Sequence, residues 1–160
     1  MTPSVLVAGI GNIFLGDDGF GPEVMRRLPP NLAGPDVRLC DYGIRGVHLA
    51  YDLLDGWDSL VLVDAVPNRN RPGTLHVFEA DRENLSPGPG LDAHAMDPAA
   101  VFASLRALGG SPPYTVVIGC EVATVAEGIG LSEAVAAAVP DAVQAVAAAV
   151  ARLSTAVGQG

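Results

Sequence analysis

Val5-Leu6-Val7-Ala8 runs directly into Gly9-Ile10-Gly11-Asn12-Ile13-Phe14-Leu15-Gly16-Asp17-Asp18-Gly19-Phe20-Gly21, and the reading of the chain turns on this passage. The apolar run reads as a buried strand, and a helical pattern begins at about Pro22. A strand that turns through glycines into a helix puts its loop at the carboxyl edge of a sheet, where α/β proteins build their sites. Pro22 has no amide hydrogen, so it belongs to the first helical turn and starts the helix near Gly19. Asp18 then stands at or beside the N-cap, where a carboxylate meets the positive end of the macrodipole. A dinucleotide fingerprint fits poorly. Gly9 and Gly11 match its first two glycines, but Phe14 takes the third position. Two carboxylates here would also repel a pyrophosphate, so a cation suits the turn better.

The 160 residues correspond to one domain over 1–160, long enough for a real core, and 49% apolar residues argue against extended disorder. A formal charge of −9 argues against nucleic acid or an anionic membrane surface as a partner. Cys40 and Cys120 lie far apart with no C-x-x-C spacing, which predicts buried free thiols in a reducing compartment. The N-terminus shows no basic region or apolar stretch of signal-peptide length. The Ala-rich C-terminal stretch carries Pro140, Asp141, Gln144 and Arg152, and so does not read as a membrane span. These features predict a soluble, cytoplasmic protein.

Further along, Glu23–Leu28 continues the first helix up to Pro29-Pro30, and Val37–Asp41 reads as a short strand before a loop at Tyr42–Gly46. Val47–Leu54 is a short amphipathic helix carrying His48, a surface histidine. Ser59-Leu60-Val61-Leu62-Val63-Asp64-Ala65-Val66 is the clearest strand, its continuous apolar character requiring cover on both faces. Thr74–Glu79 alternates like a half-exposed strand, with His76 as a strand histidine. Asp97-Pro98 opens a helix with Val101, Leu105 and Leu108 as its core face, and Tyr114–Glu121 is the last strand. Ser132 caps a short helix to Val139, after which Pro140 begins a terminal helix. This order of elements predicts an α/β fold, a three-layer α/β/α sandwich with a mainly parallel twisted sheet.

Asp64 closes a central strand, and a carboxylate there is costly to bury without a partner or ligand. His94 lies on a loop just ahead of the Asp97-Pro98 helix start. Asp18, Asp64 and His94 should therefore share one edge of the sheet. Two carboxylates and an imidazole make an incomplete metal shell suited to nickel, zinc, cobalt or manganese, with open positions for water or substrate. No serine or cysteine sits in a nucleophile elbow, and there is no H-E-x-x-H.

These residues resemble the nickel-dependent maturation endopeptidases of [NiFe]-hydrogenases. The likeness rests on Gly9–Gly21, on D-Y-G-I-R-G at Asp41–Gly46, and on L-V-L-V-D-A-V at Leu60–Val66. It continues through D-A-H-A-M-D-P at Asp92–Pro98 and G-I-G-L-S at Gly128–Ser132. The resemblance implies removal of a C-terminal peptide from the precursor of a hydrogenase large subunit after nickel insertion, with Asp18, Asp64 and His94 meeting nickel that the precursor brings. Family members often carry Glu at the first of these positions, so Asp18 is one methylene shorter. The family tends to place proline after the position of Glu121, where this chain has Val122, and no ligand role is assigned to Glu121. The metal would polarise the scissile carbonyl or activate a water, with Asp17, Asp18 or Asp64 taking the proton. Arg45, between Gly43 and Gly46, would orient an acidic or carboxylate group of the substrate. Two alternatives belong to other classes. One is a nickel-binding docking module without peptidase activity. The other is a nucleotide-binding oxidoreductase that uses Asp41.

Overall fold

The computed structural model describes residues 2–80 and 98–155. Five strands form one sheet in the order β2-β1-β3-β5-β4. They are β1 (Val5–Ile10), β2 (Val37–Gly43), β3 (Ser59–Val66), β4 (Leu75–Glu79) and β5 (Tyr114–Glu121). All neighbours are parallel except β4, which runs antiparallel to β5. The described helices are α1 (Phe20–Arg27), α2 (Gly46–Leu53), α3 (Pro98–Ala107) and α4 (Glu133–Ser154), with short 3₁₀ turns at Gly16–Gly19 and Pro30–Leu32.

Strand alternation divides the core in two. Val5, Val7, Val61, Val63, Val116 and Ile118 face one side and pack with Phe20 and Val24 of α1 and with Val135, Ala142 and Val146 of α4. Leu6, Ala8, Leu60, Leu62 and Val117 face the other and pack with Leu49 and Leu53 of α2 and with Val101, Phe102 and Leu105 of α3. Helices thus cover both faces of the sheet, which is why β1 and β3 read as unbroken apolar runs. The expected three-layer α/β/α sandwich is the observed fold.

The path of the chain places the site. From β1 the chain crosses by α1 on one face to β2; from β2 it crosses by α2 on the opposite face to β3, on the other side of β1. The crossovers diverge between β1 and β3, and a crevice opens outside the carboxyl ends of those two strands. Close approach of α1 tightens it. A Cβ on Gly21 would lie 2.3 Å from the Ile10 carbonyl oxygen and 2.6 Å from that of Val63. A Cβ on Gly9 would meet Met25 at 2.3 Å. The helix start therefore rests directly on the ends of β1 and β3.

Several expectations are corrected in detail. The second strand continues past Asp41 to Gly43, with a register shift at Gly9/Ile10 and the Gly11 amide donating to the Gly43 carbonyl at 2.9 Å. Tyr42 is consequently buried, its hydroxyl donating to Asp52 at 2.5 Å. Phe102 joins the core face of α3, while Leu108 lies beyond the helix and is exposed. Pro140 does not separate two helices: α4 is continuous from Glu133 to Ser154. Pro140 is exposed, and so is Ala136, whose carbonyl loses its helical donor to the proline ring. By length and composition α4 is apolar enough to cross a membrane, but its buried stripe from Val135 to Leu153 packs on the sheet. Cys40 and Cys120 are free, as expected, but only Cys120 is buried; Cys40, on the edge strand β2, is half-buried.

Gly21→Ala is expected to destabilise the protein by about 2–3 kcal/mol, because the new methyl meets two backbone carbonyls that cannot move independently. Thermal unfolding should show a melting temperature lowered by roughly 5–10 °C.

Candidate active site

The loop after β1 passes through a single 3₁₀ turn, Gly16–Gly19, before α1 begins. Its two adjacent carboxylates have opposite fates. Asp17 is completely buried and accepts four hydrogen bonds. The amides of Ala123 and Thr124 donate to Oδ2 at 2.8 and 3.1 Å. The Ser132 amide donates to Oδ1 at 2.7 Å, and the Ser132 hydroxyl to Oδ2 at 2.8 Å. Burial pushes the Asp17 carboxyl up, but these donors outweigh it and hold the group below the usual carboxylate range. Asp17 is thus a fastening between two loops. The expectation that it takes a proton during the reaction is corrected, since both of its oxygens are already engaged.

Asp18 is half-buried. It does not cap α1, whose N-cap is Gly19 with no side-chain hydrogen bond. Oδ2 instead accepts from the Asn12 amide at 2.8 Å, and Oδ1 makes no hydrogen bond to the described residues. This bond folds the carboxylate back over the loop that leaves β1.

Asp64 is 4% exposed, near the end of β3, paired across the ladder with Gly119. It follows Val63, which lies opposite Gly9 and against whose carbonyl Gly21 rests. The 3₁₀ turn bearing Asp18 contacts β3 directly. The crevice between β1 and β3 therefore brings Asp18 and Asp64 to one edge. His94 lies outside the described residues, which contain no group of three or more metal-ligating side chains. The hard oxygen donors of Asp18 and Asp64, at the edge of a chain of charge −9, fit a divalent cation.

Other expected residues have different tasks. Arg45 donates from Nε to the Tyr42 carbonyl at 3.2 Å and from an Nη to the Asp41 carbonyl at 3.1 Å. Its guanidinium thus holds its own loop through two of its five N–H donors, while the residue itself is exposed. Asp41 accepts from the Gly43 amide at 2.9 Å, an Asx turn at the end of β2. Burial pushes the Cys120 thiol up to about 11, with Asp17 and Glu121 adding to the effect, so it is no thiolate nucleophile.

One pairing was missed. His76 is more than a strand histidine: its Nε2 lies 2.7 Å from Oε2 of buried Glu121. Oε1 of Glu121 accepts from the amides of Arg69 and Arg71 at 2.8 and 3.2 Å. The His76 bond first, then the Arg69 amide, hold the Glu121 carboxyl below its usual range despite burial. The partners stand 45 or more residues from Glu121, and no local motif announces them.

Comparison with known proteins gives the family of the chain. The family model of the HycI hydrogenase maturation proteases matches residues 22–149. The chain belongs to the hydrogenase maturation protease family. The matched span includes Asp64 and His94 and begins just after Asp18. The hydrogenase 2 maturation protease of Escherichia coli is 30% identical over 147 residues, covering 91% of this chain and 89% of its own. The coenzyme F420 hydrogenase subunit delta of Methanothermobacter thermautotrophicus is 33% identical, covering 88% and 90%. Among solved structures, the hydrogenase maturating endopeptidase HybD of E. coli superposes with a TM-score of 0.74 at 27% identity, over 93% of each chain.

The two neighbouring aspartates should separate by experiment. Asp17→Asn turns an amide NH₂ toward groups that are themselves donors and should cost about 2–4 kcal/mol in urea unfolding. Asp18→Asn keeps an oxygen for the Asn12 amide and should change stability by less than about 1 kcal/mol. Because the Asp17 carboxyl is depressed in the folded state, its contribution is full above the unfolded-state value. It should fade as the pH falls below about 4 and further through the folded-state value, and Asp17→Asn should remove that part of the acid lability.

Proposed function

We propose that this member of the hydrogenase maturation protease family is an endopeptidase that removes the C-terminal extension of a [NiFe]-hydrogenase large-subunit precursor. The observation that supports the proposal is that the turn bearing Asp18 packs on β3, which bears Asp64, at the switch point between β1 and β3, within a chain of that family. The free thiols Cys40 and Cys120 accord with work in a reducing cytoplasm.

In this reading nickel belongs to the substrate. It arrives with the precursor, and Asp18, Asp64 and His94 complete its ligand shell on docking. Bound there, the metal supplies Lewis-acid polarisation and an activated water. The chain's own contribution is positional. Asp17 fixes the turn that presents Asp18, and β3, flanked by β1 and β5, fixes Asp64. With Asp17 engaged by four donors, Asp18 and Asp64 are the remaining carboxylates to receive the proton of the attacking water. A precursor lacking nickel would lack the charge that these acids recognise.

The test is to mix the purified protein with nickel-loaded and nickel-free precursor and follow precursor mass. Cleavage only of the nickel-loaded form is expected; an unchanged mass would leave a docking module in place of a peptidase. Asp64→Asn and His94→Ala should each reduce processing by at least about a hundredfold. Asp64→Asn should alter folding stability by only about 1 kcal/mol. Wild-type processing by either variant would remove that residue from the site.

A further inference from the structure

The basic residues of the chain point to a second feature of the same edge. All nine are arginines. Arg26 and Arg27 pair with Glu23, Arg38 lies over Trp57 and near Asp52, and Arg45 holds its own loop. Among the described residues, the guanidinium groups of Arg69, Arg71 and Arg152 make no hydrogen bond or ion pair. Arg152 is in the last turn of α4, whereas Arg69 and Arg71 sit on the loop between β3 and β4, at the edge that bears Asp64.

That loop is built to hold Arg69 in place. Glu121, 2% exposed, takes the Arg69 and Arg71 amides on one oxygen and His76 on the other. The backbone is anchored and the side chains are left out of the bond. Arg69 lines a cavity of about 390 Å³ with Val66, Pro67, His76, Phe78 and Glu121. The cavity has apolar walls, a buried carboxylate already occupied by donors, and one unengaged guanidinium. Its free polar chemistry is cationic, on a protein of charge −9.

Register relates this cavity to the proposed active site. Gly119 of β5 lies opposite Asp64 on one side and His76 on the other, so both side chains rise from the same face of the sheet. Two inter-strand steps separate their backbones by about 10 Å. Val66 fills the space above Gly119, where a Cβ would come within 2.6 Å of Val66 Cγ1, and forms the wall between the two positions. An extended peptide covers that separation in about three residues.

We propose that this cavity is a specificity subsite in which Arg69 binds an acidic side chain of the precursor about three residues from the cleaved bond. The inference rests on the peptidase reading above and adds to it a residue that selects the substrate. An apolar stem lies against Val66 and Phe78, and the carboxylate meets the Arg69 guanidinium. Arg71 shares the anchored backbone but does not line the cavity, which makes it the control.

Arg69→Gln and Arg71→Gln both keep the amide donors to Glu121, so neither should move the melting temperature. With nickel-loaded precursor, Arg69→Gln should lower kcat/KM about tenfold or more, mainly through KM, and Arg71→Gln should not. Precursor variants with each Asp or Glu within six residues of the cleaved bond changed singly to its amide should include one with the same loss. With that variant, Arg69→Gln should produce no additional loss. Precursor binding to the non-cleaving Asp64→Asn protein should weaken by the same factor when Arg69 is changed. Absence of cleavage by the wild-type protein would remove the peptidase reading and this proposal together. Wild-type cleavage that is indifferent to Arg69, or to every acidic position tested, would overturn the subsite alone.

Discussion

The Asp17 carboxylate is the interaction on which the rest of the site depends. It is a buried charge, which would be prohibitive unless hydrogen-bonded, and three backbone amides with one hydroxyl compensate it. Those donors come from the loop after β5 and the start of α4, so one side chain ties the first loop of the chain to the last. The backbone repeats the tie: the Asp17 amide donates to Thr124, the Gly16 amide to Gly128, and the Gly128 amide to Phe14. Ser132 serves twice, donating to Asp17 and accepting the Val135 amide as N-cap of α4. Asp18 is covalently next to this fastening. Its position over the β1 loop follows from a neighbour that takes no part in the chemistry.

That division of labour explains what could be read from the chain. Ser59–Val66 and Tyr114–Glu121 coincide with β3 and β5 because a strand covered on both faces is apolar throughout. Asp18 and Asp64 stood out because each ends or follows such a run, where a charge is conspicuous. Asp17 could not be separated from Asp18 in the same way. Its side-chain partners are 106 to 115 residues distant, and adjacent aspartates carry no local mark of which one is buried. Glu121 posed the same difficulty, its bonds to Arg69, Arg71 and His76 being long-range. The extension of β2 was hidden for another reason. Gly43 adopts a left-handed conformation (φ 54°) and, with Asp41, reads as a turn, although the sheet continues through it. Pro140 misled because its effect on a helix depends on whether the freed carbonyl meets solvent.

The charge distribution along the carboxyl edge bears on how a peptide would lie there. The peptide backbone carries no net charge, so a protease must obtain direction and register from groups beside the scissile bond. On the proposed function, Asp18 and Asp64 meet a cation at the β1/β3 crevice, while Arg69 presents the opposite charge beyond β5. These two features differ in sign and are separated by about the reach of three extended residues. A segment that satisfied both could lie in one direction only, since reversal would bring its acid to the aspartates and its metal to the arginine. Like-charge contacts of that kind add a repulsion against the wrong register to the attraction that favours the right one. Recognition of nickel and choice of register would then be two readings of one electrostatic arrangement, held in place by Asp17 on one side and Glu121 on the other.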